Sequence, residues 1–121
     1  MVPYQPTRFD VSFAALSDPV RRGVLEQLMC ADAAVTVLAA RFRMTLTGMR
    51  KHIGVLEKAQ LVTTEKVGRV RSCRLGPRRL EEEAAWIERY RALWAERSDA
   101  LDTVIESLKQ KETRDGRKRR A

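Results

Sequence analysis

Cysteine and histidine are scarce in this sequence, and familiar catalytic motifs are missing. Cys30 and Cys73 are the only cysteines, His52 is the only histidine, and no CxxC pair occurs. Such a chain has neither the ligand spacing of a zinc site nor a disulfide framework. It also lacks a glycine-rich phosphate loop, a GxSxG motif and a histidine beside a nucleophile. We therefore expect no catalytic residue, no metal site and no cofactor.

Long hydrophobic runs are absent as well. No stretch approaches about 18 consecutive apolar residues, and the opening MVPYQPTRFDVSF lacks a basic segment followed by an apolar one. These features predict a cytoplasmic protein. Apolar residues still make up 44% of the 121 residues, which is enough for one hydrophobic core, and we expect a single domain.

Acidic residues are outnumbered by basic ones. The 16 Asp and Glu residues face 24 Lys and Arg residues, which gives a net charge of +8. Residues 41–60 carry +4, residues 61–79 carry +5 and residues 111–121 carry +4, whereas residues 80–110 carry −4. A clustered basic surface is typical of proteins that bind polyanions. Nucleic acid is the first expectation, and an anionic membrane surface is the second.

Local signals predict two short helices near the start of the chain. Residues 1–7 contain two prolines and are expected to form a disordered lead-in. A helix is predicted over about residues 8–16. A second helix is predicted to begin after Asp18, with Pro19 in its first turn, where the missing N–H does no harm.

A helix-turn-helix is predicted next. VTVLAARF has the apolar spacing of a third helix, and only the dipeptide RM separates it from a fourth helix that begins at Thr45. Two helices joined by so tight a turn, the second of them basic, indicate a DNA-binding helix-turn-helix. The apolar residues of this recognition helix share one face, which is predicted to pack inward: Leu46, Met49, Ile53 and Leu56.

The outer face of the recognition helix is the first candidate site. A glycine in the first turn would let the helix backbone approach a nucleic acid closely. Arg50 can present a bidentate fork to guanine, and Lys51 can reach a base edge or a phosphate. Threonine hydroxyls at the helix start can donate to phosphate. The candidate DNA contacts here are Thr45, Thr47, Gly48, Arg50, Lys51 and His52.

A β-hairpin is predicted directly after this helix, in the position of a wing. The β-rich runs LVTTEKV and RVRSCRL flank Gly68. The residues predicted to face inward are Val62, Val67, Val70 and Leu75.

Basic residues of the wing are the second candidate site. Arg69 and Arg71 alternate along the strand, so both can reach one side, where arginine fits a narrow minor groove or a flanking phosphate. Lys66 is a candidate phosphate contact, and so is Arg74, although arginines on an exposed strand can equally protect its edge against sheet pairing.

The longest predicted helix covers about residues 80–110. Its apolar residues recur every seven positions, and the stripe is longer than one side of a small domain can cover. An antiparallel pairing with a second copy is the simplest closed arrangement, so we expect a homodimer. The candidate interface residues are Phe9 and Phe13 of the first helix and Leu80, Ile87, Trp94, Leu101, Ile105 and Leu108 of the last. The domain is expected over residues 8–110, followed by a basic, disordered tail at 111–121.

These segments resemble the ArsR (arsenical-resistance repressor) family of bacterial winged-helix transcription factors, from about Val11 to Leu108. SDPVRRGVL and KHIGVLEKAQLV are the most specific stretches, and GRVRSCRL and WIERYRALWAERSDALD extend the likeness. The resemblance implies a mainly α fold with a small β-hairpin, that is, a winged helix-turn-helix. It also implies a nucleoid-associated homodimer, paired through its terminal helices, that binds an inverted-repeat operator and usually represses a promoter.

The metal-sensing members of that family differ from this sequence. They carry two cysteines separated by one residue at the start of the third helix, or histidines on the last helix. The matching positions here are Ala34 and Thr36, and no histidine follows His52. The resemblance is therefore to the non-metal-sensing branch. A redox role for Cys30 or Cys73 stays open, because Arg71 and Arg74 could lower the pKa of Cys73, although a lone strand cysteine is usually just a small buried residue.

Two further alternatives stay open. The module could bind a protein partner without a specific DNA target, using the wing or the aromatic surface of Trp86, Tyr90 and Trp94. His52 could be a hydrogen-bonded boundary residue in place of a DNA contact. The triplet Glu81–Glu83 is expected to complement the dipole at a helix start. The expected partners are double-stranded DNA and a second copy of the chain, with no membrane; the sequence does not identify a small-molecule effector.

Overall fold

Five helices and three strands make up residues 8–120, which are the residues that the computed structural model describes. The lead-in predicted at residues 1–7 lies outside this range. In chain order the elements are α1 (Arg8–Leu16), α2 (Pro19–Cys30), β1 (Ala33–Ala34), α3 (Val35–Arg41), α4 (Leu46–Lys58), β2 (Val62–Val67), β3 (Val70–Leu75) and α5 (Glu81–Arg120). The chain divides into two compact units, one up to Glu83 and one from Ala84 onward.

The start of α2 follows from its capping residue. The Asp18 carboxylate accepts a hydrogen bond from the backbone N–H of Arg21 at 3.0 Å, and Pro19 occupies the first turn. This backbone hydrogen bond lowers the pKa of Asp18, because it stabilises the ionised carboxylate. The predicted start of the second helix is confirmed.

The turn between α3 and α4 is a Schellman motif. The N–H of Met44 donates to the carbonyl of Ala39 at 2.9 Å, and the N–H of Arg43 donates to the carbonyl of Ala40 at 3.2 Å. Arg43 has a φ of 52°, in the left-handed region where glycine is usual. The same motif ends α4, where Gln60 has a φ of 61°. Both turns therefore reverse the chain within two residues.

The sheet has three antiparallel strands in the order β1-β3-β2. The hairpin register runs from Val62 opposite Leu75 to Val67 opposite Val70, and Gly68 has a φ of 64° in the two-residue connection. The sequence analysis missed β1, which pairs with the middle of β3. Two alanines carry no strand signal, and they become a strand only through this distant pairing.

Only one of the four hairpin residues predicted to face inward is buried. Val62 is 3% exposed, whereas Val67, Val70 and Leu75 are 61%, 51% and 40% exposed. Val67 and Val70 form the pair next to the turn, so no layer of their own unit covers them. Leu75 lies at the end of the strand pair. Cys73, which was not predicted to face inward, is fully buried.

The core of the first unit lies where the sheet meets α1 to α4. It is built from Ala15, Val24, Leu28, Val35, Leu38, Ala39, Met49, Ile53, Leu56, Ala59, Leu61, Val62 and Cys73. The inward face predicted for the recognition helix is confirmed, with Leu46 half-buried at its edge.

A buried polar cluster joins the end of the hairpin to the helical body. The Arg78 guanidinium pairs with the Glu83 carboxylate and donates to the Ser12 hydroxyl at 3.0 Å and to the Ala59 carbonyl at 3.3 Å. Glu83 lies in the first turn of α5, as expected of a residue that complements the helix dipole, but its side chain is also 2% exposed and ion-paired. The second oxygen, Oε2, has no hydrogen-bond partner among the described residues.

The second unit is the remainder of α5, and the bounds of this helix differ from prediction at both ends. Leu80 precedes the helix with a φ of 62° and packs against the core of the first unit, so it does not belong to the helical stripe. The helix continues to Arg120, where a disordered tail was predicted after residue 110. Lys, Arg, Glu and Gln are good helix formers, and the single Gly116 costs only about 1 kcal/mol.

An apolar stripe runs along α5 without cover from its own unit. Its large apolar residues are between 42% and 63% exposed: Trp86, Ile87, Tyr90, Leu93, Trp94, Leu101, Val104, Ile105 and Leu108. The rings of Trp86 and Tyr90 stack at 5.5 Å, and Tyr90 meets Trp94 edge to face at 6.3 Å. The helix as a whole is about 60 Å long.

Candidate nucleic-acid interface

The recognition helix α4 presents its polar face outward because its apolar face is anchored. Met49, Ile53 and Leu56 are buried in the core, and polar residues on the opposite side of the helix are exposed. Thr47, Arg50 and Lys51 are among these exposed residues.

Thr45 begins the helix as predicted, and this cap gives a local reason for Gly48. The Thr45 hydroxyl oxygen accepts a hydrogen bond from the Gly48 N–H at 3.0 Å. A Cβ on residue 48 would lie 3.1 Å from this oxygen and 3.3 Å from the Met44 Cε, which is tighter than ordinary contact. The space beside Gly48 is therefore partly closed by its own chain. Gly54, on the same helix, is the glycine whose Cβ would meet nothing within 4 Å.

One cleft between α4 and the wing gathers four of the predicted site residues. Its rim carries Arg50 from the helix and Lys66, Arg69 and Arg71 from the hairpin. Apolar side chains of Val35, Leu46, Ile53 and Val70 also line it, with Thr36 and Glu57 completing the lining.

The charges around this cleft are poorly compensated. The side chains of Arg50, Lys66 and Arg69 form no hydrogen bond or ion pair with any residue in the described part of the chain. Lys66 lies directly opposite Arg71 in the hairpin register, an arrangement of like charges that is unfavourable in an isolated sheet. Glu57 is the one carboxylate lining the cleft. An anionic partner would relieve this repulsion.

Arg74 does not join the other wing cations. Residues 71 and 73 share one face of β3, and residue 74 lies on the opposite face because side chains alternate along a strand. Arg74 pairs in register with Thr63, whereas Arg71 pairs with Lys66. The wing therefore carries arginines on both faces, and Arg71, but not Arg74, is among the residues that line the cleft.

Comparison with known proteins gives the family. A helix-turn-helix domain family matches residues 16–65. The solved structure of an ArsR-family transcriptional regulator is 37% identical, with a TM-score of 0.68, and the match covers 74% of this chain and 98% of the other. An ArsR-like transcriptional regulator from Rhodococcus sp. RHA1 is 34% identical, with a TM-score of 0.73 and coverage of 83% and 92%. The transcriptional repressor SdpR of Bacillus subtilis is 25% identical over 75 residues, which are 62% of this chain and 83% of that protein.

The chain belongs to the ArsR family of transcriptional regulators. This confirms the resemblance and the winged helix-turn-helix fold predicted from the sequence. The family and the fold are those of a transcription regulator with a DNA-binding domain and not those of an enzyme.

His52 of this ArsR-family chain lies apart from the cleft. Its Nδ1 is 3.1 Å from an Arg21 guanidinium nitrogen and 3.9 Å from the Asp18 carboxylate, and its side chain is 19% exposed. Arg21 also donates to the carbonyls of Ala14 and Ala15 at the end of α1. His52 is thus a hydrogen-bonded residue at the junction of α1, α2 and α4. The sequence analysis missed Arg21, whose role depends on three elements meeting.

Cys73 is the small buried residue that a lone strand cysteine usually is, and the activation by arginines that the sequence left open is contradicted. The thiol is fully buried, and this burial raises its pKa to about 11. The nearby carboxylate of Glu57 also raises the pKa of Cys73, and the lowering by Arg71 is too small to compensate. Arg74, which was expected to contribute, lies on the other face of the strand. At neutral pH the thiol is therefore protonated and unreactive.

Across residues 8–120, no three or more His, Cys, Asp and Glu side chains are grouped so that they could bind a metal ion. Over the same residues, no helix has the length and apolar character needed to span a bilayer.

Two polar residues that line the cleft of this ArsR-family chain were not predicted as site residues. Thr36, at the start of α3, and Glu57, near the end of α4, both line it. Glu57 falls on the outer face by the same 3.6-residue period that selected Arg50. The sequence analysis passed over it because an acid is not expected on a surface for polyanions.

Proposed function

We propose that this protein is a homodimeric repressor that binds a specific inverted-repeat operator in double-stranded DNA, acting at the bacterial nucleoid. One observation carries the proposal: Arg50 of α4 and three wing cations line the same cleft, and three of these four side chains have no hydrogen-bond or ion-pair partner within the described chain. A surface with unpaired cations on a helix and an adjacent hairpin fits a phosphate backbone and the groove beside it.

Each site residue has a role in this proposal. Arg50 reads a guanine edge through its bidentate fork, and Lys51 contacts a base edge or a phosphate. Thr45, Thr47 and Gly48 place the start of α4 against the backbone, where the positive end of the helix favours phosphate. Lys66, Arg69 and Arg71 bind flanking phosphates or a narrow minor groove.

His52 has the weakest support as a direct contact. Its Nδ1 is engaged with Arg21, while its Nε2 forms no hydrogen bond with a described residue and is left for a phosphate.

The dimer is proposed to form through α5, with the first unit as the DNA-binding domain. An exposed stripe of this length has the heptad spacing of helices that pair. We assign Ile87, Trp94, Leu101, Ile105 and Leu108 to the interface. Phe9 and Phe13 of α1, whose rings meet edge to face at 6.5 Å, are likewise assigned to the dimer interface. Leu80, which packs on the core, is left out.

Repression in place of activation is supported by the Bacillus subtilis relative, which is a transcriptional repressor. The non-metal-sensing assignment is supported by Ala34 and Thr36 at the positions where metal-sensing members carry cysteines.

Binding to duplex DNA over a series of salt concentrations tests the proposal. Fluorescence anisotropy with a random-sequence duplex should show log K falling linearly with log salt, because the cleft cations displace counterions. A duplex selected from genomic fragments should bind tighter than the random one at every salt concentration. No binding to either duplex at low salt would overturn the proposal and favour a protein partner.

A further inference from the structure

A short hydrogen-bonded chain joins the recognition helix to both strands of the wing. The Thr64 hydroxyl on β2 donates to the Glu57 carboxylate on α4 at 3.2 Å. The Arg71 guanidinium on β3 donates to the same Thr64 oxygen at 3.4 Å. A hydroxyl has one proton to donate and lone pairs to accept, so Thr64 can serve both neighbours at once.

Little else holds the outer half of the wing in place. Val67 and Val70 next to the turn are exposed, so no apolar packing within their own unit fixes the hairpin tip. The repulsion between Lys66 and Arg71 acts against a defined side-chain arrangement. The negative charge of Glu57 offsets this repulsion. The Thr64 hydroxyl connects the Glu57 carboxylate to the Arg71 guanidinium through its two hydrogen bonds.

We propose that Glu57 and Thr64 are positioning residues, which hold Arg71 and the wing in the orientation that fits DNA. This inference rests on the proposed function and adds to it a mechanism by which the protein distinguishes its operator from other DNA. A preorganised Arg71 loses less side-chain entropy when it binds, which improves affinity only for DNA that matches the fixed geometry. The Glu57 charge repels the phosphates of any duplex. Only DNA that matches the fixed position of Arg71 gains an interaction that compensates for this repulsion, so binding to all other DNA is weakened.

Two pairs of variants separate positioning from charge. Thr64→Val removes the hydroxyl at nearly constant shape and charge, while Thr64→Ser keeps the hydroxyl. Glu57→Ala and Glu57→Gln both remove the charge, and only Gln keeps an oxygen that can accept from Thr64. Each variant is measured as the full chain on the selected duplex and on a random duplex, and its thermal unfolding is followed by circular dichroism.

The expected result is a loss confined to the selected duplex. Thr64→Val should bind it about three- to tenfold more weakly than Thr64→Ser, which is the range for one hydrogen bond, with equal binding to random DNA. Glu57→Ala should likewise bind it more weakly than Glu57→Gln. Both Glu57 variants should bind random DNA more tightly than the native protein. In an Arg71→Ala background, Thr64→Val should have no further effect, because the chain acts through Arg71.

Several outcomes would overturn the inference. Equal binding by Thr64→Val and Thr64→Ser would show that the hydroxyl does not position the wing. An undiminished effect of Thr64→Val in the Arg71→Ala background would show that it acts by another route. Either result, with the native protein still binding DNA, leaves the proposed function standing. Failure of the native protein to bind any duplex would remove the proposed function and this inference together.

Discussion

Arg71 and Arg74 are close in sequence but occupy different environments, because strand alternation separates them. Arg71→Ala should weaken binding to random and selected duplexes and reduce the slope of log K against log salt by about 1, since one phosphate contact is lost. Arg74→Ala removes the same charge from the same strand and serves as the matched control. We expect it to change the slope much less. Equal slopes for the two variants would show that the cleft is not the DNA surface.

Cys30 and Cys73 should differ sharply towards a thiol reagent. Cys30 is exposed, whereas Cys73 is buried with a pKa of about 11, so on the order of one in a thousand of its thiols is ionised at pH 8. The native protein should release one equivalent of chromophore from a disulfide reagent quickly, and a second only after unfolding. Cys30→Ser should leave the folded protein unreactive. Rapid reaction of Cys73 in that variant would restore the redox alternative.

The burial of Cys73 also implies a dependence of stability on pH. Its pKa is raised from 9.0 to about 11 in the folded state, so the unfolded state ionises first as the pH rises. The contribution of this thiol to stability is therefore intact below pH 9 and declines as the pH rises from 9 towards 11.

The buried Arg78–Glu83 pair holds several elements together. Arg78→Met should lower the free energy of unfolding by about 3 to 5 kcal/mol, because the Glu83 carboxylate would stay buried without its counter-ion. The double variant Arg78→Met with Glu83→Leu should recover most of this loss. Urea denaturation followed by circular dichroism measures both.

Arg79→Met is the control for that experiment. Arg79 is the exposed neighbour, and its substitution should change stability by less than about 0.5 kcal/mol. Equal destabilisation by Arg78→Met and Arg79→Met would contradict a stabilising role for the buried pair.

At the level of elements, the features that could be predicted are those determined by contacts between residues close in sequence. Asp18 and Thr45 cap helices through contacts within one turn, and a 3.6-residue period separates buried Met49 from exposed Arg50. The strand at Ala33 and Ala34 could not be predicted, because it exists only through β3. Likewise the role of Glu57 depends on Thr64, which the fold brings to it.

The end of α5 was missed for a different reason. The basic, polar sequence after residue 110 predicts solvent exposure, and the predicted disorder was inferred from that exposure. Helix propensity distinguishes the two, since residues 111–120 contain no proline and only one glycine. The exposed, basic character of this segment was therefore predicted correctly. The prediction and the structure differ in the backbone conformation, which is helical.

For the whole molecule, the stripe on α5 leads to a prediction about assembly. Leu101→Asp should convert the protein from a dimer to a monomer of 13.9 kDa in sedimentation and reduce binding to the selected duplex. Thr103→Asp adds the same charge two positions away, on the opposite side of the helix, and should leave the dimer intact. A dimer that survives Leu101→Asp would assign the stripe to another role.

The uncovered stripe on α5 has a consequence for how such a regulator responds to its own abundance. In the proposed dimer a second chain covers the apolar side of this helix, and DNA-binding competence becomes a bimolecular property. When copies are few, the amount of paired protein falls with the square of the total and not in proportion to it. Synthesis and degradation of the chain would then act as a control on transcription without any ligand.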